Sequence, residues 1–530
     1  MVLSISVGGE PTPLLGRSLN LIRREILMKV RHLAVLVALL ALTVAGGALS
    51  AQAGTIVITL NGDSAEISGA GAVADGSLVT ISQSGDYRLT GTLDDGQILV
   101  NVTDGGAVTL ILNGVSLNSS TSAPIYVKDA GSLRLMIAEG SENTVSDAAE
   151  YVYAEGEDEP NAAIFSDVDT VIEGSGSLTV NANFNDGITS KDTLTIQGEP
   201  VITVNAVDDA IRGKDALSIS GGTYVLNATE GDGLKADNED ADSGNLTVSG
   251  GTFTITAGDD GVQATTTAAI QDGSLTITAA GDGIHADWNL NIDGGVIDIL
   301  NSEEGLEAGF ITINGGTIHI VATDDGINVS EPDDIPNPGL YMLTINGGWV
   351  VVNAGGDGLD SNGSITMTGG TVLVNGPTAN MDGAIDYDGA FNISGGLLVA
   401  AGSAGMPAAP GQSSPQNSVL VVFDALQPAG TIVSIVNAEG EAVITFAPAK
   451  DFQSLIVSAA GLVTGETYTI YTGGSHSGAA TDGLYSDGVY TPGTATATFT
   501  IESAVTTVGN VRMGRGGQGG QPPAAPGGQG

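Results

Sequence analysis

Aspartates and basic residues that return at a fixed spacing are the side chains of this sequence best suited to chemistry. A motif of an acid, a glycine and an aliphatic residue recurs as NDGI (185–188), GDGL (231–234), DDGI (324–327) and related forms. Carboxylates without histidine or cysteine partners make an oxygen-rich ligand set that favours Ca²⁺ over zinc or copper. We therefore expect calcium binding, and the candidate ligands are Asp186, Asp208, Asp209, Asp232, Asp259, Asp260, Asp282, Glu304, Asp324, Asp325 and Asp357.

A plain turn is the alternative interpretation of each motif taken alone. Asp-Gly is a common turn dipeptide, because the aspartate bonds to its own backbone and glycine adopts turn conformations at little cost. Turn chemistry would accept Asn or Ser at the acidic position equally well, so the repetition of the acid favours calcium. The spacing matches neither an EF-hand loop nor the Gly-Gly-x-Gly-x-Asp nonapeptide.

Four basic residues lie close together in this strongly acidic chain, whose formal net charge is −46. They form two pairs, each separated by 23 residues: Lys191 with Lys214, and Arg212 with Lys235. One interpretation is local salt bridges to the aspartates Asp192, Asp215 and Asp237. The other is a site for an anionic ligand such as a uronic acid polymer. In that case the four are free surface charges, and losing one costs no more than about 0.5 kcal/mol of stability.

Three aromatic side chains complete the candidate carbohydrate-binding residues, and they are His285, Trp288 and Trp349. Trp349 stands where most repeats have Thr, on the outward phase of its predicted strand. An exposed indole has a flat apolar face on which a sugar ring can stack, whereas packing beneath a loop is the alternative for both tryptophans.

Internal repetition predicts the fold. Between the acidic motifs lies a second signature, as in LSISGGTYVLNA (217–228) and ITINGGTIHIVA (311–322), and the least interrupted repeats are 21 to 23 residues long. Aliphatic residues alternate with Thr, Ser or Asn, which indicates strands with one buried face, and Gly-Gly marks a sharp corner. Three strands per repeat predict an all-β, right-handed single-stranded parallel β-helix with equivalent residues stacked about 4.8 Å apart.

The pattern also predicts the domain boundaries. The repeats are expected to form one domain over residues 54–402, followed by a linker at 403–416. A β-rich region at 417–505 is expected to cap the open end of the helix, and the Gly/Pro/Gln tail at 506–530 is expected to be disordered.

The N-terminus predicts export. Residues 1–53 read as a signal peptide whose true start is Met28, because a basic segment, an apolar run and the cleavage site Ala51-Gln52-Ala53 follow one another. We expect a secreted bacterial protein that is monomeric and not embedded in a membrane after the signal is removed. The absence of cysteine excludes disulfides and thiolate metal sites, and the acidic charge argues against nucleic acid.

Several segments resemble the secreted bacterial carbohydrate-binding domain-containing proteins. YRLTGTLDDGQILVNV (87–102) and LRLMIAEGSENTVSD (133–147) are similar to the opening of that family, and GETYTIYTGGS (465–475) is similar to its end. The resemblance implies a calcium-binding right-handed parallel β-helix that binds cellulose or polygalacturonate-like acidic polysaccharide. It also implies calcium ligation by the motif aspartates. VDDAI (207–211) and MDGAI (381–385) depart from the motif, which weakens this expectation there.

We therefore expect a non-catalytic, calcium-dependent polysaccharide-binding protein for acidic or cellulosic glycans, with calcium and cations both facing a ligand carboxylate. The alternative is a pectate-type polysaccharide lyase, in which Lys191, Lys214 or Lys235 removes a proton from the sugar. A surface filament or matrix component is a third interpretation, favoured by a slim acidic rod. No repeat-breaking pair of carboxylates points to a hydrolase.

Overall fold

The structure, a computed structural model, describes residues 54–153, 155–330 and 340–510. The predicted signal peptide and the tail from residue 511 lie outside the described residues. Within them every regular element is a β-strand, so the prediction of an all-β fold is confirmed. The described part contains no helix long and apolar enough to cross a membrane.

Ten strands precede the regular repeats. The first two pairs, β1 with β2 and β3 with β4, are antiparallel. Strand β1 also pairs in parallel with β5 and starts the parallel stacking. These strands are β1 (Ile56–Gly62), β2 (Ala65–Ile67), β3 (Ala72–Asp75), β4 (Leu78–Ile81), β5 (Gly85–Leu93), β6 (Gln97–Asn101), β7 (Ala107–Asn118), β8 (Ile125–Asp129), β9 (Ser132–Ile137) and β10 (Glu142–Ser146).

The regular repeats follow, up to residue 402. Their strands are β11 (Ala162–Ser166), β12 (Thr170–Gly174), β13 (Ser177–Ala182), β14 (Asp186–Ser190), β15 (Thr193–Gly198), β16 (Val201–Ala206), β17 (Ile211–Gly213), β18 (Ala216–Ala228), β19 (Leu234–Ala236), β20 (Asn245–Ala257), β21 (Val262–Ala264), β22 (Thr267–Ala279), β23 (Ile284–Ile292), β24 (Val296–Asn301), β25 (Leu306–Ile313), β26 (Thr317–Ala322), β27 (Ile327–Val329), β28 (Met342–Ile345), β29 (Trp349–Ala354), β30 (Leu359–Ser361), β31 (Ser364–Met367), β32 (Thr371–Asn375), β33 (Phe391–Ile393) and β34 (Leu397–Gly402).

Each repeat strand pairs in parallel with its counterpart in the next repeat, which gives three ladders. In the first ladder, which carries the acidic motifs, β11 pairs with β14, then β17, β19 and β21 follow in order. The second ladder includes β12 and β15, and the third includes β13 and β16. The long strands β18, β20 and β22 run through a corner and contribute to both the second and third ladders. Equivalent residues of successive repeats therefore lie next to each other.

The interior of this stack is filled by the aliphatic residues that alternate along the strands. In β16 the side chains of Ile202, Val204 and Ala206 are buried while their neighbours face outward, as the period-two pattern predicts. Like residues also stack on like residues, and the rings of Tyr224 and Phe253 lie parallel with centroids 4.5 Å apart. The burial of one continuous apolar interior holds the repeats together.

The Gly-Gly corners lie in one row because each corner sits against the corner of the preceding repeat. The second glycine has a positive φ, for example 95° at Gly222 and 90° at Gly316. Only glycine adopts this conformation at low cost, so the corner requires it.

A C-terminal region packs on the end of the stack. Strand β38 pairs antiparallel with β34, the last strand of the third ladder, and also with β35, which itself pairs in parallel with β43. A second, antiparallel sheet contains β36, β37 and β39 to β42. These strands are β35 (Ser418–Gln427), β36 (Val433–Asn437), β37 (Ala442–Phe446), β38 (Phe452–Ser458), β39 (Thr467–His476), β40 (Ala480–Thr481), β41 (Leu484–Tyr485), β42 (Tyr490–Thr500) and β43 (Val505–Val508).

Two details differ from the predicted boundaries. Strand β43 reaches Val508, so strand structure extends past the predicted tail boundary at 505, because β43 continues the sheet beside β35. The segment predicted as a linker, 403–416, contacts the last repeat, where the amides of Gly411 and Gln416 donate to the carbonyls of Phe391 and Ile393.

The motif glycines are buried at the turn into the first ladder. A Cβ on Gly261 would lie 2.4 Å from Ile277 Cγ2 and 2.6 Å from the carbonyl oxygen of Gly283. Two repeats carry alanine instead, at Ala210 and Ala384. In these two repeats the matching residue of the third ladder is not β-branched. Leu226 stands in register with Val204, and Ala400 stands in register with Val374. Alanine is therefore accommodated at Ala210 and Ala384 because the side chain of the third ladder leaves room for its methyl group.

Replacing Gly261 with Ala should lower the melting temperature, because the added methyl group overpacks the turn at a cost of about 1–3 kcal/mol. Adding Ile277→Leu should recover part of the loss, since this pair reproduces Ala210 with Leu226. The exposed Thr256→Ala is the matched control and should change stability by no more than about 0.5 kcal/mol. Thermal melting followed by circular dichroism checks this, and a Gly261→Ala protein as stable as the parent would refute the packing argument.

Candidate functional site

Eight motif acids form one line along the first ladder, which we call the acidic column. The strands that follow them pair in register, as in Ile211 with Leu234 and Leu234 with Val262, so each acid lies over the one before. The first five acids are buried and the last three are partly buried. The acidic column comprises Asp186, Asp209, Asp232, Asp260, Asp282, Glu304, Asp325 and Asp357.

A ladder of hydrogen bonds fixes these carboxylates. The backbone amide of Asp232 donates to Asp209 Oδ1 at 3.0 Å, and the amide of Asp260 donates to Asp232 Oδ1 at 2.8 Å. The pattern continues from Asp282 to Asp260 Oδ1 at 2.7 Å and recurs between Asp357 and Asp325 Oδ1 at 2.6 Å. Each such carboxylate therefore uses one oxygen to bind the next repeat. The other oxygen faces a basic side chain at Asp232 and Asp260, whereas Lys235 approaches Asp209 at the oxygen that already accepts the amide.

The backbone carbonyls of the motif turns accept hydrogen bonds between repeats. The amide of Gly233 donates to the carbonyl of Asp260 at 3.0 Å, and the amide of Leu234 donates to the carbonyl of Gly261 at 3.2 Å. The stacking of repeats uses these carbonyls in the first ladder. Any cation held here must be bound mainly by side-chain oxygens.

A second line of side chains lies beside the first, and we call it the companion column. Each member stands three residues after a column acid and pairs in register with the members of the adjacent repeats, as Lys235 does with Gln263. The companion column comprises Thr189, Arg212, Lys235, Gln263, His285, Glu307, Asn328 and Asp360. Sequence reasoning singled out Arg212, Lys235 and His285 and missed the other five members, although the position after each motif aliphatic residue marks them.

Cations occupy the early part of the companion column. Lys235 Nζ lies 2.7 Å from Asp232 Oδ2 and 3.3 Å from Asp209 Oδ1. Arg212 lies 3.5 Å from Asp186 Oδ2 and binds Asp237 through two nitrogens, at 2.6 Å and 3.0 Å. Burial disfavours the charged amine of Lys235, but the two carboxylates outweigh it and raise its pKa above the usual range.

The four predicted basic residues therefore differ in role. Arg212 and Lys235 are mostly buried and neutralise buried acids, so the expectation that they are free surface charges is wrong for these two. Lys191 binds Glu159 at 2.6 Å and Asp167 at 3.4 Å, and neither is the predicted partner Asp192. Of the described residues, none forms an ion pair with Lys214.

A pocket of about 180 Å³ lies where these cations meet the surface. Its wall carries three of the four predicted basic residues together with two acids, one amide, one hydroxyl and one ring. The lining residues are Asp158, Glu159, Asn161, Phe165, Thr189, Lys191, Arg212 and Lys214.

His285 marks the middle of the companion column. Its Nδ1 lies 3.3 Å from Asp260 Oδ2 and 3.7 Å from Asp282 Oδ2. Burial disfavours the charged imidazole, but the hydrogen bond to Asp260 and the surrounding carboxylates raise the pKa of His285. The imidazole therefore acts as a counter-charge to the acidic column, and its contacts are with acids.

Oxygen atoms replace the cations in the late part of the companion column. Asp282, Glu304 and Glu307 each place one carboxylate oxygen within 4.8 Å of the others, and Asp325, Asp357 and Asp360 do the same. Burial, followed by repulsion from Asp325 and Asp357, raises the pKa of Asp360 to about 7. Burial likewise raises the pKa of Asp357 to about 7. His285 lies near Asp282, and the described residues place no lysine or arginine within ion-pair distance of these carboxylates.

Asn328 joins the first of these groups. Its Nδ2 donates to Glu304 Oε1 at 2.8 Å, while its Oδ1 is buried and has no hydrogen-bond partner among the residues that the structure describes. A buried amide oxygen without a partner costs free energy unless a cation or another donor satisfies it. Carboxylate and amide oxygens together match the ligand preference of Ca²⁺. The late part of the columns therefore fits a divalent cation.

The three additional predicted acids lie beside the acidic column. Asp208 groups with Asp186 and Asp209, and Asp259 groups with Asp232 and Asp260. Asp324 is exposed and belongs to no such group among the described residues.

The structure separates the two tryptophans. Trp349 packs against the C-terminal core and its Nε1 donates to Asp482 Oδ2 at 2.8 Å, so the packing alternative describes it and a free stacking surface does not. Trp288 is partly exposed at an irregularity in β23, between Ala286 and Asn289. Trp288 therefore keeps an indole surface available for a ligand.

Comparison with known proteins identifies the family. A family model of carbohydrate-binding domain-containing proteins matches residues 75–326 and 282–505. The chain belongs to this family. The resemblance predicted from the sequence is thus confirmed at the level of the family.

Two individual proteins are also similar to this chain. A carbohydrate-binding domain-containing protein of Acetivibrio thermocellus is 43% identical over 129 residues, which cover 24% of this chain and 45% of the relative. The chain thus spans less than half the length of that curated relative. A solved structure of the polysaccharide lyase-like protein from C. thermocellum, a gadolinium derivative, is 33% identical with a TM-score of 0.44 and covers 45% of this chain and 97% of that chain.

Metal-free protein should lose stability as the pH rises from 5 to 8. The folded-state pKa values of Asp357 and Asp360 are about 7, above the unfolded value of about 3.9. Folding therefore favours the protonated acids, and this contribution disappears as the pH rises through 7. Melting temperatures of chelator-treated protein across this range check the prediction. Asp360→Asn should make the profile flatter, and a parent whose melting temperature is constant would contradict it.

Proposed function

We propose that the protein is a secreted, calcium-dependent polysaccharide-binding protein that does not cleave its ligand. Membership of the carbohydrate-binding domain family supports the ligand class. The acidic clusters of the late columns support calcium, and the pocket beside Lys214 supports an acidic glycan of the polygalacturonate type. Cellulose is the neutral alternative ligand, for which the partly exposed Trp288 is the candidate contact.

Calcium would be held by side chains of the late columns. Asp282, Glu304 and Glu307 with the Oδ1 of Asn328 form one ligand set, and Asp325, Asp357 and Asp360 form the other. In each set the ion would supply the positive charge that cancels repulsion between stacked carboxylates. At about 4 Å this repulsion amounts to roughly 1 kcal/mol per pair in water and several-fold more near a protein surface.

The observation that carries the glycan proposal is the state of Lys214. The described part of the chain holds far more acids than bases, yet it places no ion-pair partner beside this lysine. A uronate carboxylate entering the pocket would meet Lys214 directly and Lys191 and Arg212 at the wall. Hydroxyl groups of the sugar would find acceptors in Asp158 and Glu159.

The architecture supports a polymeric ligand. We take the parallel ladders to be a right-handed parallel β-helix, in which equivalent surface positions recur at the spacing of the repeats. A polysaccharide lying along such a surface would contact several repeats at once. The predicted export and monomeric state are consistent with a binding module that acts on glycans outside the cell.

The lyase alternative requires an amine that accepts a proton near neutral pH. The hydrogen bond from Lys191 to Glu159 raises the pKa of Lys191, and the acids around Lys235 raise the pKa of that residue. Both side chains therefore hold their protons firmly, which supports binding without cleavage. Lys214 is the remaining candidate base among the predicted lysines.

Calcium should raise the melting temperature of the parent protein above that in chelator. Binding to the folded state alone stabilises it, by about 2.7 kcal/mol for one site when calcium is 100-fold above its dissociation constant. Mg²⁺ is the control and should have a smaller effect, because it retains its waters and demands octahedral geometry. An unchanged transition, together with no bound metal by elemental analysis, would remove calcium from the proposal.

The double variant Lys191→Ala, Lys214→Ala should bind polygalacturonate at least tenfold more weakly while melting like the parent. Two charges at the pocket are lost, and neither neutralises the acidic column. Affinity should also fall as salt screens the remaining charges. Isothermal titration calorimetry gives the affinity, and the release of unsaturated uronides is followed in the same samples by ultraviolet absorbance.

Arg134→Ala is the matched control, since Arg134 is an exposed cation on the second ladder whose one ion-pair partner among the described residues is Glu173. It should bind polygalacturonate as the parent does. Unchanged binding by the double variant would refute the pocket as the glycan site. Release of unsaturated product by the parent, abolished by Lys214→Ala, would make the protein a lyase.

A further inference from the structure

The companion column changes its chemistry along the stack while the acidic column does not. Its early members Arg212 and Lys235 are cations, and its late members Glu307, Asn328 and Asp360 supply oxygen atoms. All of these side chains stand three residues after a column acid. The same position in the repeat therefore carries opposite charges at the two ends.

A cation of the companion column occupies the place between two stacked carboxylates. Lys235 Nζ contacts Asp232 Oδ2 at 2.7 Å and Asp209 Oδ1 at 3.3 Å, and thus bridges two repeats. Both acids are almost wholly buried, with side-chain exposures of 1% and 3%. A divalent ion at this place would be repelled by the ammonium group at close range, so the lysine and a metal ion exclude each other.

The late companion residues place no ammonium or guanidinium group at the acids and add carboxylate or amide oxygens beside them. Glu307 lies within the group of Asp282 and Glu304, and Asp360 lies within the group of Asp325 and Asp357. Asn328 provides an observation independent of the acids. It is only 8% exposed and its Nδ2 donates to Glu304 and Glu307, while its Oδ1 has no hydrogen-bond partner among the described residues.

We propose that the companion residue determines, repeat by repeat, whether the acidic column is neutralised by a side chain or by a divalent metal ion. Arg212 and Lys235 exclude metal from the early acids Asp186, Asp209 and Asp232. Glu307, Asn328 and Asp360 direct metal to the late acids. The inference rests on the calcium dependence of the proposed function and is independent of its glycan specificity.

Exchanging Lys235 for Gln tests the exclusion directly. This change places glutamine at position 235, the residue type that the next repeat carries at Gln263. It leaves Asp209 and Asp232 without a cation. We expect one additional tightly bound calcium per chain, counted by elemental analysis after desalting, and a larger difference between the melting temperatures in calcium and in chelator. Lys214→Gln is the matched control and should leave the calcium count unchanged.

The reverse exchange, Glu307→Lys, tests the same rule at a late repeat. We expect one calcium fewer than in the parent and a smaller loss of melting temperature on chelation, because the new ammonium group replaces the metal charge. This variant adds a counter-charge to an acidic cluster, so it remains informative where Lys235→Gln folds only in the presence of calcium. Such calcium-dependent folding of Lys235→Gln would itself support the proposal.

The possible failures are distinct. If the parent binds calcium but both variants keep the parental count, the companion residue does not control metal uptake and the inference is overturned. If the parent and Lys235→Gln bind no calcium at all, calcium dependence and this inference fall together. Polygalacturonate binding by the parent, measured separately, is not affected by either result.

Discussion

Stacking of equivalent residues is the constraint on which the rest of the structure depends. Parallel pairing between repeats places each side chain over its counterpart, at a strand spacing of about 4.8 Å. Aliphatic residues gain from this arrangement because like shapes pack into one continuous interior. Carboxylates do not gain from it, since each acid of the column lies near two others of the same charge. A column of acids therefore persists only where something supplies hydrogen bonds and positive charge.

The structure meets this requirement in two steps. First, five of the eight carboxylates accept the backbone amide of the next column acid, as Asp232 does from Asp260, so the repulsive groups also tie the repeats together. Second, the companion column offers a partner to the other oxygen of Asp232, through Lys235, and of Asp260, through His285. The motif glycine makes this possible, because a Cβ at Gly261 would collide with Ile277 and the turn could not bring the acid against the next repeat.

Much of the fold was predictable because repetition is visible in the sequence alone. The strands, the Gly-Gly corners and the line of acids follow from period and composition. The partners of Lys191 and Lys235 were not predictable from nearby acids, because ion pairs form across repeats as well as within them: Lys235 binds Asp209, 26 residues earlier. Trp349 shows the same difficulty over a longer range, since Asp482 lies 133 residues away and no local pattern links the two.

The separation of cations and oxygen ligands along one surface bears on how calcium would influence glycan binding. The pocket lined by Lys191, Arg212 and Lys214 lies at the repeats whose acids already have cationic partners. Carboxylate groups that could hold a metal ion occur along the whole column: Asp186, Asp208 and Asp209 group at the early end, and Asp325, Asp357 and Asp360 group several repeats further along. At the early group Arg212 already contacts Asp186 Oδ2, whereas the described residues place no lysine, arginine or histidine within ion-pair distance of the late group. Under the proposed function, calcium therefore acts mainly by holding the late repeats together, and the early repeats contact the glycan with cationic side chains.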